Sequence, residues 1–507
     1  MTIGSTTAKL TLSVLLTAAA ATHASAFQVH HYEDGGPWNQ RADSGPDAEV
    51  PGWFYNLGPT GIRVELDDEF PTHLVVRYVF KGSPAAGRVE VGDHIVGVAG
   101  QRFERPHRNG YGMEVFGPQG PILDFANALE ASQLKDSKGK FELELLRAGK
   151  SVRAELAVDR KQGAFGATYP ADCTKSAAVL DHLLPYLREQ QREDGSFGDE
   201  ILDTFIPLAL LANPSDENLA AVERNARFHA STTKAVDEDD LINWRYMTAA
   251  IVLCEYYEVT KEKWILPELA EIRDFIIAGQ YTSLSQVDPA AKESHPDSFP
   301  TDARQQHGGW GHGPGFGGYG PIAMLTGQGA LALSLMQRCG VEVDRERLGF
   351  AFDFLARGTG TNGYLWYADG VAGDEDWADM GRTGASAIAL ALDPWPNDAR
   401  EDLRMRQTLI LGEHPESFPD THGSPIMGMG YGALAANQHA PSFRRLMDAN
   451  RWWFTLSECH DGTFYYQPNR DNAGYGADSR LSASAVTAFI LSIEKRNLLV
   501  TRPAAKR

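Results

Sequence analysis

The chain has 507 residues, 43% hydrophobic and 22% charged, with a net charge of −20 and a pI near 5.2. That length exceeds one compact core and implies two or three domains. The acidic balance argues against binding to nucleic acid or to anionic membrane surfaces. At the N-terminus, Lys9 precedes an apolar run from Leu10 to Ala21, followed by Ala24-Ser25-Ala26. This pattern predicts a signal peptide over 1–26, cut between Ala26 and Phe27, and therefore an exported protein, periplasmic or extracellular. The run is too short for an ordinary membrane span, and no later segment is long and apolar enough for one. Residues 27–52 are polar and rich in Gly, Pro, Asp and His, which predicts a flexible leader. Its His30-His31 pair suits a solvated tail or a metal.

From 53 to 160 the pattern changes to short β runs. Leu74 to Phe80, His94 to Val98, Phe141 to Leu145 and Val152 to Val158 read as strands. Arg147-Ala148-Gly149-Lys150 is a hairpin signal, and Ile122 to Ala131 reads as a helix. The stretch from Gly82-Ser83-Pro84-Ala85-Ala86-Gly87 to Gly92-Asp93-His94-Ile95 resembles the core signature of bacterial PDZ domains. The resemblance implies a small β-rich domain that takes a peptide C-terminus as an added strand, its carboxylate held by a loop of backbone N–H groups. The matching loop is Leu57-Gly58-Pro59-Thr60-Gly61-Ile62, so Leu57, Gly58, Thr60, Gly61 and Ile62 are the peptide-binding candidates. Pro59 lacks an N–H and removes one donor. The alternative is a fold of this kind used only to dock the rest of the chain. The partner implied by the PDZ resemblance is a protein or peptide.

After a linker at 161–172, helical periodicity runs over 173–497, with a tail at 498–507. Candidate helices are Ala177–Gln191, Leu202–Ala212, Leu241–Tyr257, Ile322–Met336, Gly384–Leu392 and Ala483–Ile493. Between them a glycine-aromatic turn recurs: Asp194-Gly195-Ser196-Phe197-Gly198, Gly308-Gly309-Trp310-Gly311, Asn362-Gly363-Tyr364-Leu365-Trp366 and Asp461-Gly462-Thr463-Phe464-Tyr465. With glycines 195, 309, 363 and 462 as markers, the gaps are 114, 54 and 99 residues, one single and two near-double periods. A period of roughly 50–55 residues gives about six helix-pair units, a closed α/α toroid. These repeats resemble those of prenyltransferases and squalene cyclases, whose turns read Q-x-x-x-G-x-W. The nearest copy here is Gln191 to Phe197, with Phe for Trp. The order of Asn56 to Gly61, the PDZ-like core, Tyr169-Pro170-Ala171-Asp172-Cys173 and the helical repeats also resembles an exported bacterial family of unknown function.

Two groups of residues are candidates for chemistry. Asp237-Glu238-Asp239-Asp240 matches the D-x-D-D acid motif of terpenoid cyclases, with Asp239 as the acid. The same residues suit the N-cap and dipole of the helix that follows. The second group lies on loops after the turns: His307, Trp310, His312 and Tyr319; Tyr367, Asp369, Asp374, Asp376, Asp379 and Arg382; His422, Tyr466 and Arg480. In a ring these loops meet at one mouth. His312, Asp376, Asp379, Arg382 and His422 are thus candidates for a shared cavity in which His or Tyr serves as base, Asp as its partner and Arg as an anion clamp. That set suits an enzyme acting on an extracellular carbohydrate polymer. The alternative is that these side chains only pack the turns.

No metal or cofactor is expected. There is no Asp-x-Cys of the zinc prenyltransferases and no C-x-x-C, and Cys173, Cys254, Cys339 and Cys459 lie far apart; export permits disulfides among them in three possible connectivities, and the alternative is buried thiols. The G-x-G-x-x-G at Gly313–Gly318 follows no strand, so it predicts no nucleotide site.

Overall fold

The computed structural model describes residues 30–31, 37–38, 54–107, 118–137, 139–158, 162–234, 241–369, 380–419, 425–468 and 480–502. Strands β1 (His30–His31) and β2 (Pro37–Trp38) form a small antiparallel pair. The β-rich region holds β3 (Phe54–Asn56), β4 (Ile62–Glu65), β5 (Leu74–Val79), β6 (His94–Val98), β7 (Gln101–Arg102), helix α1 (Pro121–Ser132), β8 (Lys140–Arg147) and β9 (Lys150–Ala157). These seven strands form one antiparallel sheet in the order β3-β4-β5-β6-β8-β9, with β7 beside β6. The expected hairpin turn is present. Ala148 and Gly149 both take positive φ, +48° and +76°, which matches the twist of the two long strands.

The helical region contains α2 (Thr174–Glu189), α3 (Leu202–Leu211), α4 (Asp216–Thr232), α5 (Ile242–Thr260), α6 (Ile265–Gly279), the short α7 (Ala291–Ser294), α8 (Ala323–Arg338), α9 (Arg345–Arg357), α10 (Met380–Ala391), α11 (Asp398–Glu413), α12 (Pro425–Ala436), α13 (Ala440–Ala449), α14 (Arg451–Ser457) and α15 (Arg480–Ser492). Six of them close a ring by packing neighbour on neighbour: α3 on α5, α5 on α8, α8 on α10, α10 on α12, α12 on α15, and α15 back on α3. The outer helices α2, α4, α6, α9, α11 and α13 lie against them. The sequence explains the division. All ten residues of α3 are buried, as are Ala323 to Met336 of α8, so the inner helices are apolar or small-residued on every side. Outer α9 buries one face only, at Leu348, Ala351, Phe352, Phe354 and Leu355. The expected six-unit toroid is therefore the architecture.

The glycine-aromatic turns join outer to inner helices. Gly195, Gly308, Gly363 and Gly462 take φ of +95°, +92°, +95° and +82°, so the equivalent glycine of the second copy is Gly308, not Gly309. Each glycine is pressed against the next outer helix. A Cβ would lie 2.5 Å from Arg224 O at Gly195, 2.2 Å from Phe350 O at Gly308 and 3.0 Å from Arg406 O at Gly363. At Gly462 it would meet His182 on α2 at 2.6 Å, which joins the last unit to the first. Two residues on, Phe197, Trp310, Leu365 and Phe464 are buried plugs. Their N–H groups donate to Asp203 Oδ1 (2.6 Å), Thr326 Oγ1 (3.2 Å), Thr383 Oγ1 (3.0 Å) and Ser484 Oγ (2.9 Å) on the inner helices.

One of these four acceptors is a carboxyl where the others are hydroxyls. Burial pushes Asp203 up to about 7, against the lowering effect of the Phe197 N–H and Asn225. The folded chain thus keeps a proton that the unfolded chain gives up near the ordinary carboxylate value. Stability is fullest on the acid side and falls as pH rises through the window from about 4 to about 7. We predict that Asp203→Thr removes roughly 4 kcal/mol of that fall. Urea midpoints measured from pH 4 to pH 8 check it, and an unchanged slope in the variant would refute it.

The lumen is not open throughout. Phe205 on α3 packs edge-on against Tyr431 on α12 (5.4 Å) and Phe489 on α15 (5.3 Å). Gln328 on α8 reaches across and donates to Tyr431 Oη at 3.2 Å. The far end is closed as well. Leu498, Val500 and Thr501, expected in a loose tail, are buried, and the N–H groups of Leu499 and Val500 donate to the two oxygens of buried Glu255, each at 2.8 Å. The glycine-aromatic turns lead onto the other end of the ring, the mouth at the N-terminal ends of the inner helices.

The β-rich region docks beside that mouth, and its contacts involve the loop expected to bind a peptide. Strand β4, which should receive an added peptide strand, has β3 on one edge and β5 on the other. Leu57, Gly58, Thr60, Gly61 and Ile62 are all buried, and a Cβ on Gly58 would lie 2.9 Å from Thr455 O on α14. The loop's N–H groups are turned inward too: Leu57 donates to Ile62 O (3.0 Å) and Ile62 to Thr60 Oγ1 (3.3 Å). Asn56 and Gln467 exchange two hydrogen bonds, of 3.1 and 3.2 Å, across the joint. The fully buried Arg63 guanidinium lies 3.5 Å from the Tyr465 ring centroid. The loop and its strand are thus occupied by the chain itself, as the docking alternative implies. The stretch expected as a linker is a packed strap, in which Tyr169 is buried and its carbonyl accepts from Arg444 at 2.6 Å.

Candidate functional site at the toroid mouth

Three consecutive units place polar side chains side by side at the mouth. Trp244 stands in the first turn of α5 and Arg382 in the first turn of α10. His312 and Tyr319 lie on the long connection from α6 to α8, and Tyr367 follows the turn at Gly363. The connection carries a small apolar core of its own, Tyr281, Ala291 and Phe316, with Val287 and Phe299 packed against it. Asn243 pins the connection to α5 by donating from its side chain to Gly311 O and Gly313 O, both at 2.8 Å, and from its backbone to His312 O at 3.0 Å.

The side chains form one hydrogen-bonded chain. Trp244 Nε1–H donates to His312 Nδ1 at 2.8 Å, His312 Nε2 meets Tyr319 Oη at 2.5 Å, and Tyr319 Oη meets Tyr367 Oη at 3.0 Å. The Arg382 guanidinium lies 5.4 Å from the Tyr367 ring centroid, and its Nε donates to Leu365 O at 3.4 Å. An indole N–H only donates, so Nδ1 of His312 must be the acceptor and its proton sits on Nε2. His312, Tyr319 and Tyr367 then hold three protons between them, and the two contacts within the trio use two. Burial, helped by the Tyr319 hydrogen bond and opposed by Arg382, pushes Tyr367 well above the usual phenol range, so it stays a phenol. The described part of the mouth is therefore a donor surface with aromatic walls. In this arrangement both ring nitrogens of His312 are engaged, Nδ1 by Trp244 and Nε2 by Tyr319.

The structure thus joins two of the five shared-cavity candidates, His312 and Arg382, through Tyr319 and Tyr367. Asp376, Asp379 and His422, and Asp239 of the cyclase alternative, lie outside the described residues. Several other loop residues serve the fold. Trp310 is buried and donates to Ile276 O at 2.7 Å, Asp369 pairs with Arg357 at 2.6 Å, and His307 packs edge-on against Phe350. Arg480 pairs with Asp461 and lies over the Phe80 ring at the joint with the sheet. Sequence reasoning missed Trp244. Its signal was an aromatic residue in the first turn of a predicted inner helix. Among the described residues no group of three or more His, Cys, Asp or Glu is placed to hold a metal, and no helix is long and apolar enough to cross a membrane.

Comparisons with known proteins bear on family rather than chemistry. No curated protein matches the chain. Solved structures similar to it include an inactive α-1,6-mannanase variant of Salegentibacter sp. HEL1_6 in complex with α-1,6-mannotriose (11% identity, TM-score 0.46, 64% of this chain and 99% of that one). They also include the cellobiose 2-epimerase of Spirochaeta thermophila (16%, 0.41, 64% and 96%) and a glycosyl hydrolase family 88 protein of Bacteroides vulgatus (9%, 0.39, 64% and 99%). At these scores the likeness transfers no activity. The family described as "Domain of unknown function (DUF6288)" matches residues 176–501, the whole ring together with the buried end of the chain, and the protein belongs to that family.

Proposed function

We propose that the protein is exported and that its toroid mouth binds a carbohydrate polymer, with the β-rich region as a docking element that walls one side of the ring. The observation that carries this reading is the Trp244–His312–Tyr319–Tyr367 chain with Arg382 beside it. Aromatic faces suit the apolar faces of sugar rings, and fixed N–H and O–H donors suit their hydroxyl and ring oxygens. The filled lumen restricts a ligand to the mouth, which favours a long chain lying across it over a small molecule swallowed whole. Any reaction there needs a general acid or base besides His312, and Asp376 and Asp379 are the candidates for that role.

Two experiments test the reading. Affinity electrophoresis against soluble α-mannan, β-glucan and polygalacturonate should show retardation by at least one polymer, and migration unchanged in all three would overturn it. N-terminal sequencing of protein recovered from its native host should begin at Phe27, whereas an intact Met1 would refute export.

A further inference from the structure

Two of the four cysteines are placed to react with each other. Cys254 lies on α5 and Cys339 caps the C-terminal end of α8, the neighbouring inner helix. Cys339 Sγ donates to the carbonyl oxygen of Cys254 at 3.5 Å, which brings the two residues side by side on adjacent inner helices. The remaining cysteines are engaged elsewhere. Cys173 Sγ accepts from Gly166 N (3.2 Å) and Ser176 N (3.5 Å) at the start of α2, and Cys459 is buried in the joint with the sheet. All four are free thiols in this structure.

We propose that Cys254 and Cys339 are a disulfide-forming pair, and that a disulfide oxidant converts them into a staple between the second and third units of the ring. The exchange balances in two steps. The Cys339 thiolate attacks the oxidant's S–S bond, forming a mixed disulfide and releasing one thiolate. The Cys254 thiolate then attacks Cys339 Sγ and releases the second. Two protein thiols become one cystine, and the oxidant's disulfide becomes two thiols. The order follows from exposure, since Cys339 is 6% exposed and Cys254 is fully buried. Burial and the neighbouring thiol also hold Cys254 well above the usual thiol range, so the second step is slow once the ring is closed. The bond therefore forms while the chain folds. It would tie α5, which carries Trp244, to α8, which follows the connection carrying His312 and Tyr319, and so hold two walls of the mouth together from the opposite end.

The test is refolding of the full chain in oxidised and reduced glutathione, followed by thiol titration in denaturant and non-reducing peptide mapping. The count should fall from four thiols in the reduced control to two, with one cross-linked peptide pair containing Cys254 and Cys339. The Cys173→Ser, Cys459→Ser double variant should go from two thiols to none. Four titratable thiols after oxidative refolding, or a cross-link joining any other pair, would overturn the proposal. If the double variant does not fold, the peptide map of the unaltered chain still decides.

Discussion

Gly308→Ala should destabilise the protein by about 3–5 kcal/mol, the largest effect expected of any single-methyl addition described here. Two costs combine. At φ +92° an L-residue is strained, and the added Cβ would stand 2.2 Å from Phe350 O and 2.6 Å from Phe350 C. Both atoms are backbone of α9, so no rotamer relieves the clash. The turn must lift off the next unit, which opens the ring at its seam. Gly340 supplies the control, with φ +90° and nothing within 4 Å of its Cβ position. Gly340→Ala should carry the conformational cost alone, about 1–2 kcal/mol. Urea titrations of both variants separate the terms. Equal losses would show that Gly308 is not held by the contact between units.

The second large effect falls on the mouth. Once a binding polymer is identified, Tyr367→Phe should weaken it about tenfold, because it removes a hydroxyl from the hydrogen-bonded chain at the mouth. Arg382→Ala should weaken it roughly 10- to 150-fold, the range for losing a charged donor. Arg382 is 8% exposed and its Nε donates to Leu365 O at 3.4 Å, so the fold of the variant is checked before its binding is read. Circular dichroism and the melting temperature check that the fold is kept, and isothermal titration calorimetry reads the affinity. Undiminished binding in both folded variants would place the ligand elsewhere.

Much of the fold was legible because repetition leaves marks that do not depend on partners. A glycine at positive φ before a buried plug is demanded four times, and the inner helices declare themselves by small and apolar residues on every side. The shift from Gly309 to Gly308 shows the limit of pattern matching. Two adjacent glycines look alike in sequence, and only the approach of Phe350 O distinguishes them. The third copy shows it again, since the plug is Leu365 and the aromatic Tyr364 sits one place early.

The docking of the β-rich region was less legible. The loop at Leu57–Ile62 carries a peptide-binding pattern, yet nothing local in it reports that Phe54–Asn56 occupies the edge of β4 or that α14 covers the turn. The contacts with the helical region join residues some 400 positions apart, as Asn56 does with Gln467. At the mouth, His312 and Arg382 were found from their place in the repeat. Trp244 was not, because its role depends on a hydrogen bond to a loop 68 residues away. Its indole N–H also fixes the tautomer of His312, which nothing local in the loop reports.

The most direct test of the account is a crystal structure of the protein soaked with an oligosaccharide of whichever polymer it binds. Sugar rings should lie across the mouth, with oxygen atoms within hydrogen-bonding distance of Tyr367 Oη and the Arg382 guanidinium, and one ring face against Trp244 or Tyr319. Sugar bound only on the outer helices or on the β-rich region, with the mouth empty, would contradict it.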